Sequence, residues 1–106
     1  MIYHNKFGIN SNKIIVGIHG WGGTNNTFLP IQKKLNDEFT MINFDLPGYG
    51  KSKKPSSWDL ENIVDSLAVE INKITSKEVD ILGNCSGALI SILLSTPKQI
   101  KVGTLY

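Results

Sequence analysis

An α/β fold, a parallel sheet with helices on both faces, is what this chain of 106 residues predicts. Three observations carry that reading. Short β-branched runs alternate with longer runs of helical period. The first long run, Lys13 to Ile18, is nearly continuously apolar, as a strand buried on both faces should be. Glycine-rich turns follow the strand-like runs, where a chain passes from sheet to helix.

The elements follow in order. Ile2 to Phe7 reads as an edge strand, and Lys13 to Ile18 as a central one. A helix is expected over about Thr27 to Asp37, with Phe28, Ile31 and Leu35 on one face. Phe39 to Phe44 is the next strand, and Asp45 to Ser57 a Gly/Pro-rich loop. The clearest helix carries Leu60, Ile63, Val64, Leu67, Ile71 and Ile74 at helical spacing, with Ser57 or Ser56 as its N-cap. Val79 to Leu82 is a strand, Ala88 to Leu94 a helix ending before Pro97, and Lys101 to Tyr106 a last strand. A parallel sheet ending there leaves a bare apolar edge. The pattern therefore reads as the front half of a larger domain, residues 1–106 forming one partial unit whose edge invites self-association or a complementing chain.

Composition narrows the function classes. The chain is 41% hydrophobic and 19% charged, with a net charge of +2, which fits one small globular unit. Every cationic side chain is a lysine, and arginine, the best phosphate fork, is absent. Lys51-Ser52-Lys53-Lys54 has no interleaved aromatic residue and reads as a solvated loop, so neither nucleic acid nor a membrane is expected as a partner. A single cysteine excludes an internal disulfide and a finger-type metal site. No leader pattern opens the chain and no apolar run nears membrane-spanning length, so the expected compartment is the cytoplasm.

Gly83-Asn84-Cys85-Ser86-Gly87 is the stretch that speaks to chemistry. It stands between a strand and a helix, with glycines two before and two after the central residue. That is the pattern of a nucleophile elbow, a strained turn that presents one side chain at its apex. The apex here is Cys85. Unpaired N–H groups and the positive dipole end of the following helix favour negative charge there, and the thiolate is the nucleophilic form of cysteine. The Ser86 N–H would face a developing oxyanion. Cys85 also reads as a small buried apolar residue, which free cysteines often are.

His19-Gly20-Trp21-Gly22-Gly23 follows the first long strand. Its glycines let backbone amides face a ligand, and the Trp21 N–H is the candidate second oxyanion donor. His19 reads better as a structural, hydrogen-bonded histidine than as a base, since nothing in the pattern orients it toward a nucleophile. Gly50-Lys51-Ser52 suggests a phosphate loop, but that motif needs glycine at position 45, which is Asp45. A dinucleotide fingerprint starting at Gly20 fails at Asn25.

Taken together, His19-Gly20-Trp21, Asp45-Leu46-Pro47-Gly48-Tyr49-Gly50-Lys51-Ser52 and Gly83-Asn84-Cys85-Ser86-Gly87 resemble the α/β-hydrolase family in order, spacing and strand context. The resemblance runs from about Ile14 onward. It implies hydrolysis or acyl transfer at a carbonyl through a thioester on Cys85, a small acyl substrate, and no metal or organic cofactor. Cysteine at the apex departs from the family's usual serine, although dienelactone hydrolases and polyhydroxyalkanoate synthases carry it. The family order is nucleophile, acid, histidine. His4 and His19 both precede Cys85, so no residue here matches the acid or the base, and little activity is expected of this chain alone. Two other readings stand beside the hydrolase: an acyltransferase or polymerising synthase, and a non-catalytic remnant.

Overall fold

The computed structural model describes residues 2–8, 12–35, 38–96 and 100–106. A five-stranded sheet forms the centre, in the order β1-β3-β2-β4-β5. The strands are β1 (His4–Phe7), β2 (Ile14–Ile18), β3 (Thr40–Phe44), β4 (Val79–Gly83) and β5 (Val102–Leu105). The helices are α1 (Leu29–Leu35), α2 (Leu60–Ile74) and α3 (Ser86–Ser95). β2, β3, β4 and β5 are parallel neighbours, while β1 runs antiparallel to β3. That edge departs from the all-parallel expectation. The connection from β1 to β2 is far too short for the crossover that a parallel partner requires.

Every residue of β2 and of β3 is buried. On one face Val16, Ile18, Ile42, Phe44, Val79 and Ile81 pack with Ile63, Val64, Leu67 and Ile71 of α2 and with Ile90 and Leu94 of α3. On the other, Ile15 and Met41 pack with Phe28, just before α1. A buried polar contact joins α1 to the same face, Asn43 Nδ2 donating to Gln32 Oε1 at 2.7 Å.

Several local expectations need correction. Phe28 is buried as expected, but Ile31 is 41% exposed and α1 turns Gln32 inward instead. Leu35 closes α1, but its side chain lies outside the described residues, as do Asp37 and Pro97. The N-cap of α2 is Asp59, without a side-chain capping bond. Ser57 acts just outside the helix: its Oγ accepts the Asp59 N–H, and its carbonyl accepts Asn62 Nδ2. α3 begins at Ser86 rather than Ala88, because the preceding turn feeds directly into it.

The α2 stripe is the main apolar bond between the helices and the sheet. Leu67 is fully buried, whereas Val69, two positions on, is 54% exposed. Leu67→Ala is expected to cost about 2–5 kcal/mol in urea denaturation, and Val69→Ala about 0.5 kcal/mol or less. Equal losses from the two would contradict the assignment of the buried face.

Candidate active site

Chain direction across the sheet reverses after β3. β2 leads through α1 to β3 on one side, and β3 leads back through α2 to β4 on the other side of β2. The loops that leave the C-terminal ends of β2 and β4 therefore diverge to opposite faces. Open α/β sheets usually bind ligands where the strand order reverses in this way. His19-Gly20-Trp21 and Asn84-Cys85-Ser86 meet at that point.

Cys85 has φ 54° and ψ −120°, and among the described residues no other non-glycine residue has a positive φ. Its side chain is exposed. The abrupt bend expected between residues 83 and 87 is present, and the alternative of a cysteine tucked into the core is excluded. Bonds from Gly87 N to Asn84 O (2.9 Å) and from Ala88 N to Cys85 O (3.0 Å) close the turn. Among the described residues no partner takes up the Ser86 N–H, as suits the first turn of a helix.

The flanking glycines are required sterically. A Cβ at Gly83 would stand 2.5 Å from Ser91 Oγ and 2.7 Å from the Ala88 Cα. One at Gly87 would collide with the carbonyl oxygens of Ile18 and His19. Gly20 faces the elbow from the other side, where a Cβ would meet Asn84 O at 2.8 Å and Cys85 Cβ at 3.0 Å. The Trp21 N–H points across this gap and donates to Ser86 Oγ at 2.9 Å. The two amides singled out in the sequence, those of Trp21 and Ser86, thus belong to segments in contact beside Cys85. The Trp21 amide is occupied by the Ser86 hydroxyl.

His19 is buried, and both ring nitrogens are engaged. Nε2 accepts the Leu46 N–H at 2.9 Å, so Nδ1 carries the proton and donates to Gly20 O at 2.7 Å. Burial lowers its pKa below 6.5, against smaller raising effects of the Gly20 bond and of Asp45. His19 is therefore a structural tie between two loops. Tyr49 makes a T-shaped contact with it and stacks on Trp21 at 5.8 Å. His4 lies on β1, separated from β4 by two strands.

One residue's role escaped the sequence. Asp45 is fully buried. Its Oδ1 accepts the Asn25 N–H at 2.6 Å and Asn25 Nδ2 at 2.9 Å, and its Oδ2 accepts the Lys51 N–H at 2.9 Å. Ser52 Oγ donates to the Asp45 carbonyl and accepts the Tyr3 N–H. The Gly-Lys-Ser segment is thus folded onto a carboxylate of its own chain, where a phosphate would be repelled. Among the described residues no three His, Cys, Asp or Glu side chains gather as a metal site would need. No helix among them is long and apolar enough to cross a membrane.

Comparisons with known proteins agree with this geometry. A family model described as alpha/beta hydrolase fold matches residues 13–103. The pimeloyl-[acyl-carrier protein] methyl ester esterase of Pseudoalteromonas atlantica is 30% identical over 97 residues, covering 88% of this chain and 36% of that protein. An enzyme of the same name from Neisseria meningitidis is 31% identical over 88 residues, covering 83% of this chain and 27% of its own length. Among solved structures, an esterase from Exiguobacterium antarcticum superposes with a TM-score of 0.86 at 29% identity, covering 98% of this chain and 39% of that one. A marine microorganism esterase reaches a TM-score of 0.89 at 22% identity, with 98% and 40% covered. The chain thus spans about a quarter to two-fifths of the length of these relatives.

Two outcomes test the site's construction. A non-glycine residue in this backbone conformation stores about 1–3 kcal/mol. Cys85→Gly is therefore expected to raise stability by about 1 kcal/mol, and Cys85→Ala to leave it within about 0.5 kcal/mol, by urea denaturation. A destabilised glycine variant would contradict the strained turn. For His19, a folded pKa below 6.5 means that the unfolded chain binds the extra proton first. Its contribution to stability is full above about pH 6.5 and is lost as the pH falls through the lowered folded value. The urea midpoint should fall on acidification from about pH 7 to 5.5, and less steeply in His19→Gln. A midpoint that rises on acidification would refute the assigned neutral tautomer.

Proposed function

Because this chain belongs to the α/β hydrolase fold family, we propose that Cys85 is its nucleophile in hydrolysis of an ester, thioester or related carbonyl substrate. The observation that carries this reading is the exposed thiol at the apex of the strained turn between β4 and α3. The family membership and the esterases among the relatives support carbonyl chemistry with water as the final acceptor.

In the first step Cys85 Sγ, as thiolate, attacks the carbonyl carbon. A C–S bond forms and the carbonyl π pair moves onto oxygen. The backbone N–H groups of Trp21 and Ser86 receive that oxyanion, and removing one such donor typically costs 10²–10³ in kcat. Collapse re-forms the carbonyl and expels the leaving alkoxide or thiolate, which takes up a proton. Water then attacks the acyl-Cys85 thioester, and the C–S bond breaks to return the thiol and a carboxylic acid. No metal or organic cofactor enters.

The base that moves these protons, and the acid that orients it, lie on this reading outside residues 1–106, in a further segment or a complementing chain. His19 has both nitrogens committed and His4 sits on the far edge. Without base and acid a triad enzyme retains roughly 10³–10⁴ over water, so this chain alone should turn over slowly. The partner is a small acyl compound, not nucleic acid or membrane, and the unpaired cysteine suits a cytoplasmic setting.

Acyl trapping provides the experiment. Incubation with p-nitrophenyl butyrate should add one butyryl group to the peptide carrying Cys85, labile to hydroxylamine and absent in Cys85→Ala. Added hexanol should not divert the acyl group, whereas an acyltransferase would yield hexyl butyrate. Equal labelling of the alanine variant, or label confined to Ser86, would refute Cys85 as nucleophile.

A further inference from the structure

We propose that the Ser86 side chain is a positioning residue: its hydroxyl oxygen pins the Trp21 amide against the elbow, so that the glycine-rich loop after β2 is set before substrate arrives. The structural half stands on the hydrogen bond alone. Its catalytic consequence rests on the acyl chemistry proposed for Cys85.

The loop has little else to hold its tip. Gly20, Gly22 and Gly23 carry no side chains, Gly22 has φ +83° with open space where a Cβ would be, and Trp21 is 58% exposed. A Gly23 N–H bond to Gly20 O and the stack on Tyr49 shape the turn. Among the described residues only the bond to Ser86 Oγ, at 2.9 Å and spanning 65 positions, fixes the Trp21 N–H relative to the elbow. The direction is right as well. A Cβ on Gly20 would touch Cys85 Cβ at 3.0 Å and Ser86 Oγ at 3.3 Å, so the hydroxyl and the carbon bearing the thiol flank one point on the loop.

The chemistry of the acceptor gives this pin a further property. A hydroxyl and a ground-state carbonyl are both neutral acceptors, so exchanging one for the other at the Trp21 N–H gains little. A tetrahedral oxyanion is charged, and bonds to charged acceptors are roughly twice as strong. The amide therefore passes from Ser86 Oγ to substrate oxygen chiefly as charge develops, which favours the transition state over the bound substrate.

Ser86→Ala and Ser86→Thr test the pin in the free protein, with a second readout at the elbow. By NMR, exchange of the Trp21 amide hydrogen should accelerate about tenfold or more in the alanine variant and stay near wild type in the threonine variant. Addition of 1,1,1-trifluorohexan-2-one, followed by fluorine NMR, should show a hemithioketal on Cys85. That adduct should be about tenfold weaker in Ser86→Ala, a fraction of the loss expected for deleting a donor outright. Alkylation by iodoacetamide, which forms no oxyanion, should proceed equally in both. Trp21 exchange within twofold of wild type in Ser86→Ala would overturn the pin, and an undiminished adduct would overturn its catalytic consequence. If no protein forms the adduct yet exchange accelerates in Ser86→Ala, the pin stands and the acyl chemistry of Cys85 falls.

Discussion

The site depends on one close approach, between the end of β2 and the start of α3. The Gly87 backbone lies so near the carbonyls of Ile18 and His19 that no Cβ fits between them. Asn84 N–H bonds to Ile18 O across the same seam at 3.1 Å. Gly20 in turn leaves room for Asn84 O and the Cys85 Cβ. Widen this seam by one methyl group and the elbow must retreat from the loop. Trp21 N–H and Ser86 Oγ would then separate. Packing between backbone segments, rather than any side-chain charge, therefore sets where Cys85 stands.

A second layer holds the loops that border this seam. Asp45 buries a carboxylate among N–H donors from Asn25 and Lys51, and His19 bridges Gly20 to Leu46. A buried carboxylate without such donors would be strongly unfavourable, so the two loops are forced to meet around it. The residues that make the Asp-Leu-Pro-Gly segment look chemical are structural in this protein. The same bonds disfavour a phosphate at its Gly-Lys-Ser end: the Lys51 amide is already committed to Asp45.

Much of this was legible in the sequence because it depends on local pattern. β2 and β3 are recognisable by unbroken apolar character, α2 by Leu60, Ile63, Val64, Leu67 and Ile71 at helical spacing, and the elbow by glycines placed two before and two after Cys85. What stayed hidden depends on partners distant in the chain. The Trp21–Ser86 bond joins residues 65 apart, and the Asn25–Asp45 bonds join residues 20 apart. No periodicity marks such pairs. Ile31 misled because α1 uses Gln32 as its inward residue, and Gln32 is suited to that place only because Asn43 waits beneath it. Likewise the cap position of α2 fell to Asp59, while Ser57, two residues earlier, accepts the Asp59 N–H and Asn62 Nδ2.

Magnitudes show why so awkward a turn persists. The conformation of Cys85 costs about 1–3 kcal/mol. The bonds of Gly87 N to Asn84 O, Ala88 N to Cys85 O, Asn84 N to Ile18 O and Trp21 N to Ser86 Oγ each return about 0.5–1.5 kcal/mol. Their sum matches or exceeds the strain, so the elbow holds without help from a ligand. The balance also separates the two adjacent candidates for chemistry. Ser86 Oγ is one of the acceptors that offset the strain, and using it as a nucleophile would break the bond that fixes the loop. Cys85 contributes only backbone atoms to that balance, so its sulfur can react while the scaffold stays intact.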